Sequence, residues 1–128
     1  MQRDTRIPRH ALLLQVLPRT EGDDMTAETH FNGLSPADAE ALTLISEECA
    51  EVIQAIAKIQ RHGLWSEHPE SRIPNWSALQ REVGDLLAAL RVGEVQRLLD
   101  WGNVIGHRDR KLMTLPKYLH HAKVINDE

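Results

Sequence analysis

From residue 35 to residue 63 the chain reads SPADAEALTLISEECAEVIQAIAKIQRHG, and apolar side chains return along it every three or four residues. That period defines one face of an α-helix. The face comprises Ala41, Leu42, Ile45, Cys49, Val52, Ile53, Ile56 and Ile59. Its ends are marked as well. Ser35 suits the N-cap, Pro36 the first helical position, Asp38 the reciprocal cap contact and Gly63 the stop. A second helix is expected over WSALQREVGDLLAALRVGE, with Ser77 as its cap and Trp76, Leu79, Val83, Leu86, Leu87 and Leu90 on its apolar face. It should break between Gly93 and Asp100. A third runs through WGNVIGHRDRKLMTL until Pro116 ends or kinks it. Residues 64–75 between the first two helices form a loop interrupted by Pro69 and Pro74.

Each of the two long helices also carries carboxylates beside its apolar stripe. With Ile45 set at zero and about 100° of turn per residue, Glu48 projects at about 300°, inside the apolar arc. Glu51, three residues on, projects at about 240°, at its edge, and Glu47 at about 200° is on the wet side. The second helix repeats the device with Glu82 and Asp85, flanked by the small residues Ala78, Ala89 and Gly93. A buried carboxylate without compensation costs several kcal/mol, and like charges grouped together raise one another's pKa. A hard divalent cation removes both problems. Mg²⁺ or Mn²⁺ takes oxygen ligands and shares its remaining positions with water and phosphate. The plainer reading of a single acidic pair is a solvated helix face; a second pair beside a second apolar stripe shifts the balance toward a metal site.

Composition bounds the rest. At 128 residues the chain suggests one domain, and a net charge of −4 offers no electrostatic case for binding nucleic acid or membrane. Cys49 is the single cysteine, so no internal disulfide can form. It is read as a buried core thiol. ALLLQVL, residues 11–17, is too short for a membrane span, and its flanks do not make a signal peptide. A cytoplasmic protein is expected. Residues 1–34 read as an N-terminal arm without a clear pattern, with Met25 as an alternative start; 35–122 form the helical domain and 123–128 a tail. The expected fold is all-α, a bundle of about four helices completed by oligomerisation.

Several further residues carry two readings. Lys58, seven residues after Glu51, shares that edge of the helix and is either a phosphate ligand or a surface lysine. Arg61 and His62 either meet a substrate or complement the negative end of the helix dipole. Trp65, in the loop, either stacks on a base or joins the apolar interior, whereas Trp76 reads as core; Asn75 either reads a base edge or, the safer reading, caps the helix.

E-x-x-E on one helix and E-x-x-D on the next, in a small all-helical chain, resembles the all-α nucleoside triphosphate pyrophosphohydrolases of the MazG-like group, relatives of the dimeric dUTPases and of phosphoribosyl-ATP pyrophosphohydrolase. The resemblance covers about residues 34–121 and is strongest at EECAEVIQAIAKIQRHG, LQREVGDLLAAL and KLMTLPKYLHH. It looks most like small stand-alone phage or bacterial members. The long loop with two prolines and the glycine-broken RVGEVQRLLDWG depart from the common pattern. The resemblance implies that Glu48, Glu51, Glu82 and Asp85 bind Mg²⁺ or Mn²⁺ and that Glu47 orients or deprotonates the attacking water. It implies that Lys111 contacts phosphate, with Lys117 and Tyr118 as a basic-aromatic pair nearby. The implied reaction cleaves a (deoxy)nucleoside triphosphate to monophosphate and pyrophosphate in a homodimer or homotetramer, serving nucleotide pools or phage nucleotide metabolism, with a purine such as dGTP as the weakly preferred substrate. Two alternatives stay open: a phosphoribosyl-ATP pyrophosphohydrolase or dUTPase-like diphosphatase, and a non-enzymatic helical interaction module.

Overall fold

The structure is a computed structural model describing residues 31–124. The expected arm, including Met25, lies outside the described residues except for 31–34, as do residues 125–128 of the tail. Among the described residues the architecture is all-α: α1 (Pro36–His62), α2 (Asn75–Val95), α3 (Trp101–Thr114) and a single 3₁₀ turn (Leu115–Lys117). Three α-helices stand among the described residues where about four were expected; Pro116 has no N–H to continue α3, and the chain tightens into the 3₁₀ turn there.

The ends of α1 form as its sequence dictates. The Ser35 hydroxyl accepts from the Asp38 N–H, and the Asp38 carboxylate accepts from the Ser35 N–H, each at 3.1 Å. Gly63, at φ 95°, turns the chain out of the helix while its N–H reaches the Ile59 carbonyl at 2.8 Å.

The start of α2 differs from expectation. Ser77 lies inside the helix, and Pro74 is the capping residue, with no side-chain cap. Loop carbonyls do the capping: the N–H groups of Asn75 and Trp76 donate to Ser66 and Leu64, each at 2.9 Å. Asn75 is no cap either. Its side-chain amide donates to the Gly63 carbonyl at 2.9 Å and ties the end of α1 to the start of α2. After Val95 the chain folds back so that the N–H groups of Leu98 and Leu99 reach the Gly93 carbonyl. Asp100 then caps α3 by accepting from the Asn103 N–H at 2.8 Å.

α1 and α2 form the one extensive helix pair among the described residues; α3 meets chiefly its own 3₁₀ turn. The seam is built from small residues: Ala41, Ala55, Ala89 and Gly93 are buried, and among the described residues no large side chain is fully buried. At Gly93 a Cβ would sit 2.9 Å from Ile45 Cδ1 and 3.2 Å from Leu99 Cδ1.

This seam is offset from the apolar stripes. On α1, Ala41, Glu48 and Ala55 fall at roughly 280–320° from Ile45, and this is the side that α2 covers. Ile56, Cys49, Leu42 and Ile53 fall at roughly 20–80° and are exposed. On α2, with Glu82 at zero, Ala89 and Gly93 lie within roughly 20° of it and are buried, whereas Val83, Trp76 and Leu87 lie at roughly 100–140° and are exposed. Ile53 is 67% exposed and Leu87 58%. Two expectations are corrected here: Cys49 is an exposed thiol rather than a core one, and Trp76 lies at the surface rather than in the core. The reason is common to both. The helices meet where side chains are smallest, to one side of their most apolar arcs.

Because Gly93 has a crowded Cβ position, Gly93→Leu is expected to destabilise the protein by about 1–3 kcal/mol. Gly84→Ala, whose new Cβ meets nothing within 4 Å, is expected to stabilise it by about 0.5–1 kcal/mol. Thermal and urea melts of the two variants check the pair.

Candidate metal centre

Glu48 and Glu51 on α1 and Glu82 on α2 converge. One carboxylate oxygen from each lies within 4.8 Å of the other two. Glu82 is buried in the helix seam, Glu48 is half-buried and Glu51 is exposed. The helical period places Glu48 and Glu51 on one edge of α1, and the small residues of the seam let α2 bring Glu82 against them.

The charges are partly compensated. Arg81 donates to Glu82 Oε1 from Nη2 at 2.6 Å and from Nε at 3.2 Å. That hydrogen bond holds the Glu82 carboxyl below its ordinary range, against the opposing effect of burial; a hydrogen bond from Glu51 and the charges of Arg81 and Lys58 help. Glu51 is pushed the other way. Its hydrogen bond to Glu82 raises it first, followed by the charge of Glu82, the charge of Glu48, burial and the charge of Asp85. The two carboxyls are therefore shifted apart, Glu51 upward and Glu82 downward. Glu48 Oε2 is buried and has no hydrogen-bond partner.

Three observations make this donor set fit a hard divalent cation: oxygen ligands alone, carboxylates close enough for their like charges to raise Glu51, and a buried oxygen without a hydrogen-bond partner. Glu48, Glu51 and Glu82 would hold such an ion, with Arg81 fixing the third ligand from behind.

The other expected site residues divide. Asp85 is exposed and outside the trio, close enough for its charge to act on Glu51. Glu47 is not brought to the trio; it is exposed and lines a separate cavity with Glu40, Thr43 and Gln96. Lys58 is half-buried, acts on Glu82 and lines a cavity at the end of α1 together with His62. Trp65 stacks on Trp76, with ring centroids 5.8 Å apart and 29° between the planes. Lys111, in the last turn of α3, and Lys117 and Tyr118, at the 3₁₀ turn, are exposed. Among the described residues no hydrogen bond or ion pair joins these three to the trio.

No protein family, curated protein or solved structure matches this chain. The trio therefore stands on its own geometry.

Arg81 was missed in the sequence, although a cation directly before Glu82 was the available signal. His68, in the cavity at the end of α1, gave none, because only the loop's fold carries it there.

Glu51 sets the pH dependence. Its folded pKa is raised, so the metal-free protein holds a proton that the unfolded chain releases, and stability falls as pH rises through the elevated range of Glu51. Glu82, shifted down, withdraws stability only as pH falls through its own lowered range. Mn²⁺ bound by these carboxylates would compete with protons, so its melting-temperature shift is expected to grow from the ordinary carboxylate range up to neutral pH. Thermal melts with and without Mn²⁺ across that range check it.

Proposed function

We propose that this protein is a metal-dependent nucleoside triphosphate pyrophosphohydrolase, converting a (deoxy)nucleoside triphosphate and water to the monophosphate and pyrophosphate. The observation that carries this reading is the trio of Glu48, Glu51 and Glu82 across the α1–α2 seam, with its orphaned oxygen. The E-x-x-E and E-x-x-D order of the MazG-like pyrophosphohydrolases supports it from the sequence side.

Bound Mg²⁺ or Mn²⁺ would neutralise phosphate oxygens and lower the pKa of the attacking water. The chain's own groups do the holding. Glu48 and Glu51 enter from one helix and Glu82 from the other, so the site exists only while the two helices are packed. Arg81 fixes the Glu82 carboxylate and Asp85 adds negative charge at the rim. Lys58, between the trio and the cavity at the end of α1, is placed to donate to a phosphate oxygen. The stacked Trp65 and Trp76 offer an apolar face for a base, with a purine such as dGTP as the favoured class. Water attacks the α-phosphorus, the bond from it to the bridging oxygen breaks, and pyrophosphate leaves with that oxygen. Glu47, lying apart, is given no part in the step.

The exposed stripes on α1 and α2 support assembly as a homodimer or homotetramer. Leu42, Ile53, Ile56, Val83 and Leu87 need covering, and α3 does not cover them. A neighbouring copy is also the means by which Lys111, Lys117 and Tyr118 would reach a trio from which they stand apart. The chain is taken to act in the cytoplasm; among the described residues no helix is long and apolar enough to cross a membrane.

Incubation with each common nucleoside triphosphate and deoxynucleoside triphosphate plus Mn²⁺, followed by chromatography, is expected to yield a monophosphate and pyrophosphate. Glu51→Gln should lose both turnover and the Mn²⁺ melting shift, while Glu47→Gln keeps most of each. A substrate panel that includes phosphoribosyl-ATP and dUTP separates the related diphosphatases. Turnover of nothing, with no Mn²⁺ shift, would favour an interaction module. Ile53→Asp is expected to lower the mass measured by light scattering and to reduce turnover with it.

A further inference from the structure

Beyond the acidic trio, the last two turns of α1 and the loop after it enclose a cavity of about 320 Å³ lined by Lys58, Arg61, His62, Glu67, His68 and Asn75, among others. Its size lies at the lower end of the ~300–1,000 Å³ range of small-molecule sites. We infer that this cavity binds a condensed phosphate, and that in the reaction proposed above it holds the pyrophosphate end of the triphosphate; the second half of that statement rests on the reading of the trio.

The charge balance favours an anion. Lys58 and Arg61 are cationic, and the cavity's carboxylate, Glu67, is engaged by Arg72 Nε at 2.9 Å. His68 Nδ1 accepts from the N–H groups of Glu70 at 3.2 Å and Ser71 at 3.4 Å. Its proton therefore sits on Nε2, which is a donor. Asn75 Nδ2 donates to the Gly63 carbonyl at 2.9 Å, which fixes this side of the cavity. The end of α1 carries partial negative charge, which Arg61 and His62 in its last turn offset.

The cavity is also built rather than incidental. An antiparallel bridge joins Glu67 to Pro74. His68 N–H reaches the Ile73 carbonyl at 3.2 Å and Arg72 N–H the His68 carbonyl at 2.9 Å. Arg72 accepts a φ of 57° to close this small hairpin, and its side chain lands on Glu67. The loop is therefore held over the end of α1 before any ligand arrives.

Position links the cavity to the trio. Lys58 lines the cavity and its charge acts on Glu82. It stands seven residues after Glu51, about 10 Å along the helix axis. Negative ligands for a cation thus adjoin positive donors for an anion. A phosphate chain with its inner phosphate at the trio would direct its outer phosphates toward the Lys58 ammonium at the cavity's edge.

Calorimetric titration of the full chain with inorganic pyrophosphate in EDTA tests the cavity without the metal. Wild type is expected to bind, Arg61→Ala to bind about tenfold or more weakly, equivalent to about 1.4 kcal/mol, and Arg61→Lys to recover part of the loss. Guanosine monophosphate should bind far more weakly than pyrophosphate. Circular dichroism and melting confirm that each variant is folded. Absence of pyrophosphate binding by wild type in EDTA overturns the inference, as does equal binding by Arg61→Ala or equal affinity for the monophosphate. Inorganic triphosphate and a nucleoside triphosphate, titrated side by side, separate the sources: tighter nucleotide binding assigns the cavity to a nucleotide's phosphate tail, and equal binding assigns it to free condensed phosphate. The trio is read separately by the Mn²⁺ melting shift of wild type against Glu51→Gln. Loss of that shift with pyrophosphate binding intact removes the metal reading alone, and the converse removes the cavity alone.

Discussion

A buried carboxylate in a helix seam is the constraint on which the described structure turns. Glu82 lies where α2 meets α1, opposite Glu48 and Glu51, with Arg81 on its Oε1. Removing such a charge from water costs several kcal/mol unless it is paired and hydrogen-bonded. Arg81 offsets part of that cost. Glu48 Oε2 is left with nothing.

The geometry of the seam follows from residue size. Ala41, Ala55, Ala89 and Gly93 let two helix backbones approach closely, and close approach is what brings three carboxylates within reach of one another. The same approach displaces the contact away from the larger apolar side chains. Leu42, Cys49, Ile53 and Ile56 on α1, and Val83 and Leu87 on α2, are left uncovered. A helix pair whose buried apolar residues are alanines and a glycine has little hydrophobic burial to stabilise it.

Local signals proved readable where a residue decides its own conformation. Ser35, Pro36 and Asp38 specify the start of α1 through bonds between groups three residues apart, and Gly63 ends it through its positive φ. Asp100 starts α3 and Pro116 closes it for similarly local reasons. The start of α2 was not readable in this way. Its first N–H groups are satisfied by Ser66 and Leu64, about ten residues upstream, and nothing in the sequence of α2 itself announces that. Arg81 and His68 show the same division: the first adjoins its partner in the chain, and the second reaches its cavity only through a hairpin.

By itself the sequence determined the helices and the pairing of acids on each, because a 3.6-residue period fixes which side chains share a face. It also determined that both acidic pairs would lie beside apolar stripes. Only the tertiary structure decided which acids meet. Glu48, Glu51 and Glu82 converge, Asp85 stands at the rim and Glu47 faces another cavity. Helical period sets directions around one axis, but the rotation and depth of one helix against another depend on how closely side chains from distant parts of the chain allow them to pack. Here that choice was made by alanines and a glycine, which gave the acids their common site and left the larger apolar side chains facing outward.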